Sequence, residues 1–208
     1  MIHYFLEGNV GYDYTDSWRK FAGHLPMVKW STDNLPLDEY AELQKLIDGR
    51  HWSILSDFTR WWAVYKFGGI YLDYDVELIK PIDSLLDIES FVCIEGYPIY
   101  PNSAVSGGKK GNKYHAEILE KYFEVIRGNK IYPARIEVAC SPWMLKDYVE
   151  SKKNNLLDES DLMEIKEYNG FVTLPKEYFY PFNWNEQYKE DCIKPNTCGI
   201  HWWKHGWK

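Results

Sequence analysis

Tyr65-Lys66-Phe67-Gly68-Gly69-Ile70-Tyr71-Leu72-Asp73-Tyr74-Asp75-Val76 is the stretch on which the fold turns. Upstream of it, Ser56-Asp57 offers a cap and a first-turn acid. Phe58, Trp61, Trp62, Val64, Tyr65 and Phe67 then cover a wide apolar face at helical spacing. This pattern predicts a well-buried helix that opens at Ser56 and is stopped by Gly68-Gly69. Ile70-Tyr71-Leu72 reads as a buried strand running directly into Asp73-Tyr74-Asp75. In extended backbone the side chains alternate, so the two carboxylates share a face and Tyr74 points the other way. An isolated Asp-x-Asp is usually a solvated strand end. Here a buried strand precedes it, and paired acids there call for a counter-charge. Mn²⁺ and Mg²⁺ take oxygen ligands of this kind and keep positions open for diphosphate oxygens.

On the N-terminal side, residues 2–6 are apolar and aromatic and read as a first strand, followed by a turn at Glu7-Gly8-Asn9-Val10-Gly11. Residues 17–23 predict a helix, Met27-Val28-Lys29-Trp30 a short strand, and residues 37–48 a second helix ended by Gly49. On the C-terminal side, residues 91–95 predict a strand and residues 97–111 a loop rich in Gly, Pro, Ser and Asn. Helices are expected over 114–126 and 143–151, and a strand over 171–174. Strands alternating with helices define an α/β class, a central sheet flanked by helices. No repeat or composition shift divides the chain, so residues 1–208 read as a single domain, either a short enzyme or the N-terminal part of a longer protein.

Acidic residues outnumber basic ones by 31 to 24, a formal charge of −7. Such a chain gains nothing from a phosphate backbone, which argues against nucleic-acid binding. No apolar run approaches the roughly 20 residues that cross a bilayer, so no transmembrane segment is expected. Met1-Ile2-His3-Tyr4-Phe5 lacks the features of a secretory leader, and the expected setting is cytoplasmic. Cys93, Cys140, Cys192 and Cys198 show no CxxC spacing and read as thiols. Rings are abundant, with 10 Trp, 17 Tyr and 9 Phe. Most serve packing, but this supply also suits stacking on sugars and bases.

Leu55-Ser56-Asp57-Phe58-Thr59-Arg60, then Tyr65 through Val76, then Lys80-Pro81-Ile82-Asp83, resembles the signature of the DXD sugar-binding-region glycosyltransferases related to glycosyltransferase family 32. That group includes capsular-polysaccharide enzymes, Golgi mannosyltransferases and, remotely, clostridial toxin glucosyltransferase domains. Ser17-Trp18, Trp30-Ser31-Thr32-Asp33-Asn34, Asn102 to Gly111, Pro142-Trp143-Met144-Leu145 and the closing His201…Gly206-Trp207 resemble its further landmarks.

The resemblance implies a GT-A (Rossmann-like) mixed sheet, a nucleotide-sugar donor, UDP-linked by analogy, a Mn²⁺ or Mg²⁺ cofactor and a glycan acceptor. By position, Asp57 and Arg60 would contact the donor sugar, with Asp75 the third catalytic candidate. Tyr4, Phe5, Tyr71 and Asp73 would bind the nucleotide sugar, with Trp207 and Lys208 closing over the diphosphate. Asp73, Asp75 and His201 would hold the metal, and an imidazole is a credible ligand for Mn²⁺. Two departures stand out. Leu6 occupies a position where an aromatic that stacks on the base is common, and Gly206 replaces a serine.

Three rival readings differ in class. A glycoside hydrolase needs two carboxylates about 5–10 Å apart across a bond, and Asp73/Asp75 are spaced for chelation instead. A nucleotidyltransferase would carry a Gly-rich, basic triphosphate loop, which the N-terminus lacks. An inactive carbohydrate-binding domain leaves the clustered Asp57, Arg60, Asp73 and Asp75 without a purpose.

Overall fold

A computed structural model describes residues 1–96, 98–127 and 141–204, with Ser141 described by its backbone only. In chain order the principal elements are β1 (Ile2–Phe5), α1 (Thr15–Ala22), β2 (Met27–Trp30), α2 (Leu43–Asp48), α3 (Trp52–Phe67), β3 (Gly69–Leu72) and β4 (Val76–Leu78). They continue as β5 (Ser90–Glu95), β6 (Tyr100–Gly108), α4 (Lys113–Ile126), α5 (Ser141–Lys153), β7 (Lys166–Tyr168), β8 (Phe171–Leu174) and β9 (Gly199–His201). Seven strands form one sheet in the order β2-β1-β3-β6-β5-β8-β7, and β4 pairs with β9 in a separate ribbon. β1 runs parallel to β2 and β3, β6 runs antiparallel to β3 and β5, and β5 runs parallel to β8. This is the mixed α/β sheet expected from the sequence.

The sheet is buried on both faces, and strand alternation sorts the side chains between two cores. Tyr71 and Val92 join Phe58, Trp61, Trp62, Tyr122, Met144 and Tyr148 on the side of α3, α4 and α5. Ile70, Leu72, Phe91 and Cys93 join Trp18, Val76 and Leu78 on the side of α1 and the ribbon. Trp18 is fully buried, and its indole N–H donates to the Val76 carbonyl at 2.7 Å, tying α1 to β4.

Three expectations need correction. The helix before the break starts at Trp52, not Ser56, because Ile54 and Leu55 extend its buried face by a turn and the Leu55 N–H bonds the His51 carbonyl at 3.0 Å. Ser56 and Asp57 therefore lie inside the helix and cap nothing. The helix expected over 37–48 is reduced to Leu43–Asp48. Turns follow Pro36, with the N–H groups of Glu39 and Tyr40 both bonding its carbonyl, and Tyr40 stacks on Phe123 at 5.1 Å. The segment read as a loop over 97–111 contains β6, a nine-residue strand inside the sheet. Its small residues answer crowding by neighbours. A Cβ on Gly107 would lie 2.5 Å from the Phe91 ring and 2.9 Å from the Gly69 carbonyl. At the end of α3, Gly68 adopts φ +70°, which glycine takes without penalty.

His115, at the start of α4, is fully buried. Its Nδ1 lies 3.0 Å from the Asn112 side-chain oxygen, and its Nε2 has no partner among the described residues. Burial pushes its pKa down to about 3. The unfolded chain takes up a proton on this residue below about pH 6.5 while the folded one does not. Its contribution is thus intact above pH 6.5 and lost as pH falls toward 3, roughly 2 kcal/mol by pH 5. Urea unfolding of wild type and His115→Gln at pH 7 and pH 5 should show that much less pH dependence in the variant. Equal slopes would contradict the assignment.

Among the described residues, no helix is long and apolar enough to cross a membrane. Cys93, Cys192 and Cys198 are free thiols.

Candidate active site

The parallel strands β1, β3 and β5 end on the same sheet edge, where open α/β sheets present their ligand sites. A cleft of about 330 Å³ lies there, lined by Phe5, Asp73, Asp75, Glu95 and His201 among others. Asp73 leaves β3 with its N–H bonded to the Ala104 carbonyl at 2.7 Å, and the Val76 N–H closes onto the Asp73 carbonyl at 3.0 Å. Asp73-Tyr74-Asp75 is therefore a tight turn between β3 and β4. The strand alternation expected for the two acids is absent, and the turn brings them together instead. Tyr74 stacks on Tyr4 at 5.7 Å and meets Trp18 edge-on, yet it too lines the cleft.

β9 pairs with β4 so that His201 sits opposite Val76. Its Nε2 lies 3.1 Å from Asp75 Oδ1, while its Nδ1 is buried without a partner among the described residues. The Lys204 backbone N–H donates to Asp75 Oδ2 at 2.8 Å. Burial would raise the Asp75 pKa, but the facing His201 and these hydrogen bonds outweigh it and hold the carboxyl down at about 2. Burial works against protonated His201, yet Asp75 raises its pKa above the usual imidazole value. Asp73, Asp75 and His201 each offer a ligand atom, all within 4.8 Å of one another.

Beside this group lies a second, buried constellation. Arg60 donates from Nη1 to Ser103 Oγ at 2.6 Å, and from Nη2 to Ser56 Oγ at 3.0 Å and Asp73 Oδ1 at 3.1 Å. Asp57 Oδ1 is 3.3 Å from the same Nη2. The guanidinium rests over the Tyr71 ring at 5.0 Å, and the Tyr71 hydroxyl meets Ser56 Oγ at 2.8 Å. Asp57 Oδ2 is buried and unpartnered among the described residues. Burial pushes the Asp57 pKa up to about 6 despite Arg60, with Asp73 adding repulsion. Burial likewise raises Asp73 against the opposing pull of Arg60.

The structure thus brings Asp57, Arg60, Tyr71, Asp73, Asp75 and His201 together, with Phe5 on the cleft wall. Tyr71 is fully buried beneath Arg60. Tyr4 is not on the cleft wall. It packs under Tyr74 and Trp18 on the opposite face of β1, as alternation from Phe5 requires. Leu6, Val10 and Tyr12 occupy that end of the cleft in its place. Trp207 and Lys208 lie outside the described residues. Sequence reasoning missed Ser56 and Ser103, the hydroxyls that fix Arg60. Ser56 stands one helical turn before Arg60, which was a usable signal.

The acid-lined cleft lies at the carboxyl edge of the parallel strands of a mixed α/β sheet. Residues 11–92 match the family described as "Glycosyltransferase sugar-binding region containing DXD motif", and over that span the chain is similar to DXD glycosyltransferases. The span takes in Asp57, Arg60, Tyr71, Asp73 and Asp75. Among solved structures the chain is similar to "PaToxG Glycosyltransferase", with a TM-score of 0.53 and 14% identity over 73% of this chain and 68% of that one. At that identity the likeness is one of fold. No curated protein matches the chain in sequence.

Proposed function

We propose that the protein transfers a hexosyl group from a UDP-sugar to a glycan acceptor in a cytoplasmic setting, using Mn²⁺ or Mg²⁺ held by Asp73, Asp75 and His201. The convergence of these three side chains in a cleft beside Asp57 and Arg60 carries the reading. Two carboxylates and an imidazole form a donor set that suits Mn²⁺, and the buried His201 Nδ1, without a partner among the described residues, marks a polar site. A bound cation supplies positive charge to a departing diphosphate.

The chain's own residues do the rest. Asp57 offers its free Oδ2 to a donor-sugar hydroxyl. Arg60 fixes Asp57 and Asp73 relative to each other and is itself held by Ser103. Phe5, Leu6, Val10 and Tyr12 give an apolar seat for the base, with Trp207 and Lys208 assigned to the diphosphate. Such preorganised groups act on charge as it develops.

A thermal-shift titration with UDP, GDP and CMP, each with and without Mn²⁺, tests the proposal. Ligands that bind the native state raise the melting temperature by mass action. A Mn²⁺-dependent rise with UDP is expected. No rise with any nucleotide would sink the transferase reading and leave an inactive carbohydrate-binding domain.

A further inference from the structure

Phe5, Asp73 and Glu95 stand at the ends of β1, β3 and β5, which are parallel in the sheet order β1-β3-β6-β5. Three strand spacings separate β1 from β5, about 14 Å at ~4.8 Å each. The cleft therefore has two ends with the acid pair between them. The β1 end is apolar. The β5 end carries Glu95, Asn102, Trp184 and Trp203, and the donor proposed above leaves these groups unused.

Their arrangement is built. Asn102 donates from Nδ2 to Glu95 Oε2 at 2.6 Å, and its own Oδ1 accepts from the Ala104 N–H at 2.8 Å and the Tyr180 hydroxyl at 3.0 Å. Glu95 Oε2 is thus fixed, while its other oxygen has no hydrogen bond from any described residue. Trp184 is 59% exposed. It rides on a turn closed by the Glu186 N–H to the Asn183 carbonyl at 2.9 Å and the Asn183 N–H to Glu186 Oε2 at 2.7 Å. A Cβ on Gly96 would fall 1.6 Å from Asn183 Oδ1, so bare Gly96 lets this turn sit directly beside Glu95. A lone exposed Trp is unremarkable. An exposed indole on a fixed turn, sharing a cleft wall with a carboxylate oxygen that has no hydrogen bond among the described residues, is a matched pair of binding features.

We infer that Glu95 and Trp184 form the acceptor subsite, and that it takes a neutral saccharide. A pyranose ring presents a C–H face that stacks on the indole and an edge of hydroxyls that donate to the carboxylate. Glu95 disfavours an anionic acceptor. This inference rests on the donor reading for its place in the reaction, but its test is separate.

Calorimetric titrations of wild type, Trp184→Ala, Trp184→Phe and Glu95→Gln, with UDP and Mn²⁺ present, use methyl glucosides, galactosides and mannosides, then maltose, cellobiose and lactose. At least one saccharide should bind wild type. Trp184→Ala and Glu95→Gln should each weaken it about tenfold, and Trp184→Phe about threefold, since a smaller ring retains part of the stack. Absence of saccharide binding in protein that binds UDP and Mn²⁺, or equal affinity in Trp184→Ala, overturns the subsite. So does glucose 6-phosphate binding as tightly as the neutral sugars. Saccharide binding that depends on Trp184 in protein showing no UDP response keeps the subsite and removes the donor reading.

Discussion

Asp75→Asn is expected to lower kcat/KM at least about a thousandfold and to erase the Mn²⁺-dependent part of the UDP thermal shift. The substitution keeps shape and removes charge. Asn can still accept the Lys204 N–H that Asp75 Oδ2 holds at 2.8 Å, and the Trp202 N–H bonds the residue's backbone carbonyl, which does not change. The ribbon of β4 and β9 should therefore stay closed. What is lost is the carboxylate facing His201 at 3.1 Å and one of three candidate ligands. The ligand-free melting temperature should fall by only a few degrees, about 1–2 kcal/mol for a hydrogen bond to a charged group. Asp75→Ala adds an unpaired Lys204 N–H and should be the less stable of the two. A Mn²⁺-dependent UDP shift that survives in Asp75→Asn would remove Asp75 from the metal site.

The local parts of this site were legible in the sequence, and the parts made by distant approach were not. Gly68-Gly69 and the strand behind Asp73 could be read because break and burial are written in neighbouring residues. Asp57 and Arg60 share a helix face, so their pairing follows from spacing alone. His201 was reachable only through the family resemblance, because nothing local says that β9 lies against β4. β6 was lost for a tertiary reason. Its glycines and serines look like a loop, yet they are small because Phe91, Gly69 and Arg60 crowd against them. The turn at Asp73-Tyr74-Asp75 escaped strand reasoning because a bond from the Val76 N–H to the Asp73 carbonyl replaces the ladder there. Trp184 could not be told from the other rings, since only its turn against Gly96 sets it beside Glu95.

Arg60→Met should be the most destabilising of these substitutions, by about 3–5 kcal/mol at pH 8. Arg60 is the counter-charge for two buried carboxylates, Asp57 at 3.3 Å and Asp73 at 3.1 Å. Burial disfavours its charge, but Asp73 and Asp57 keep it protonated. Methionine fills much of the volume, so the loss comes from the acids left behind, not from a cavity. Those acids have their folded pKa values raised already, Asp57 to about 6, and removing Arg60 raises them further. An acid with a raised folded pKa binds more protons folded than unfolded. The penalty is therefore full above the folded pKa and disappears as pH falls to the unfolded value near 3.8. The deficit of Arg60→Met should shrink from pH 8 to pH 5, and Asp57→Asn in the same chain should restore part of it at pH 8. Urea unfolding at the two pH values measures both effects. A variant as stable as wild type at pH 8 would mean that Asp57 and Asp73 do not rely on Arg60, and the buried ion network would lose its role in shaping the site.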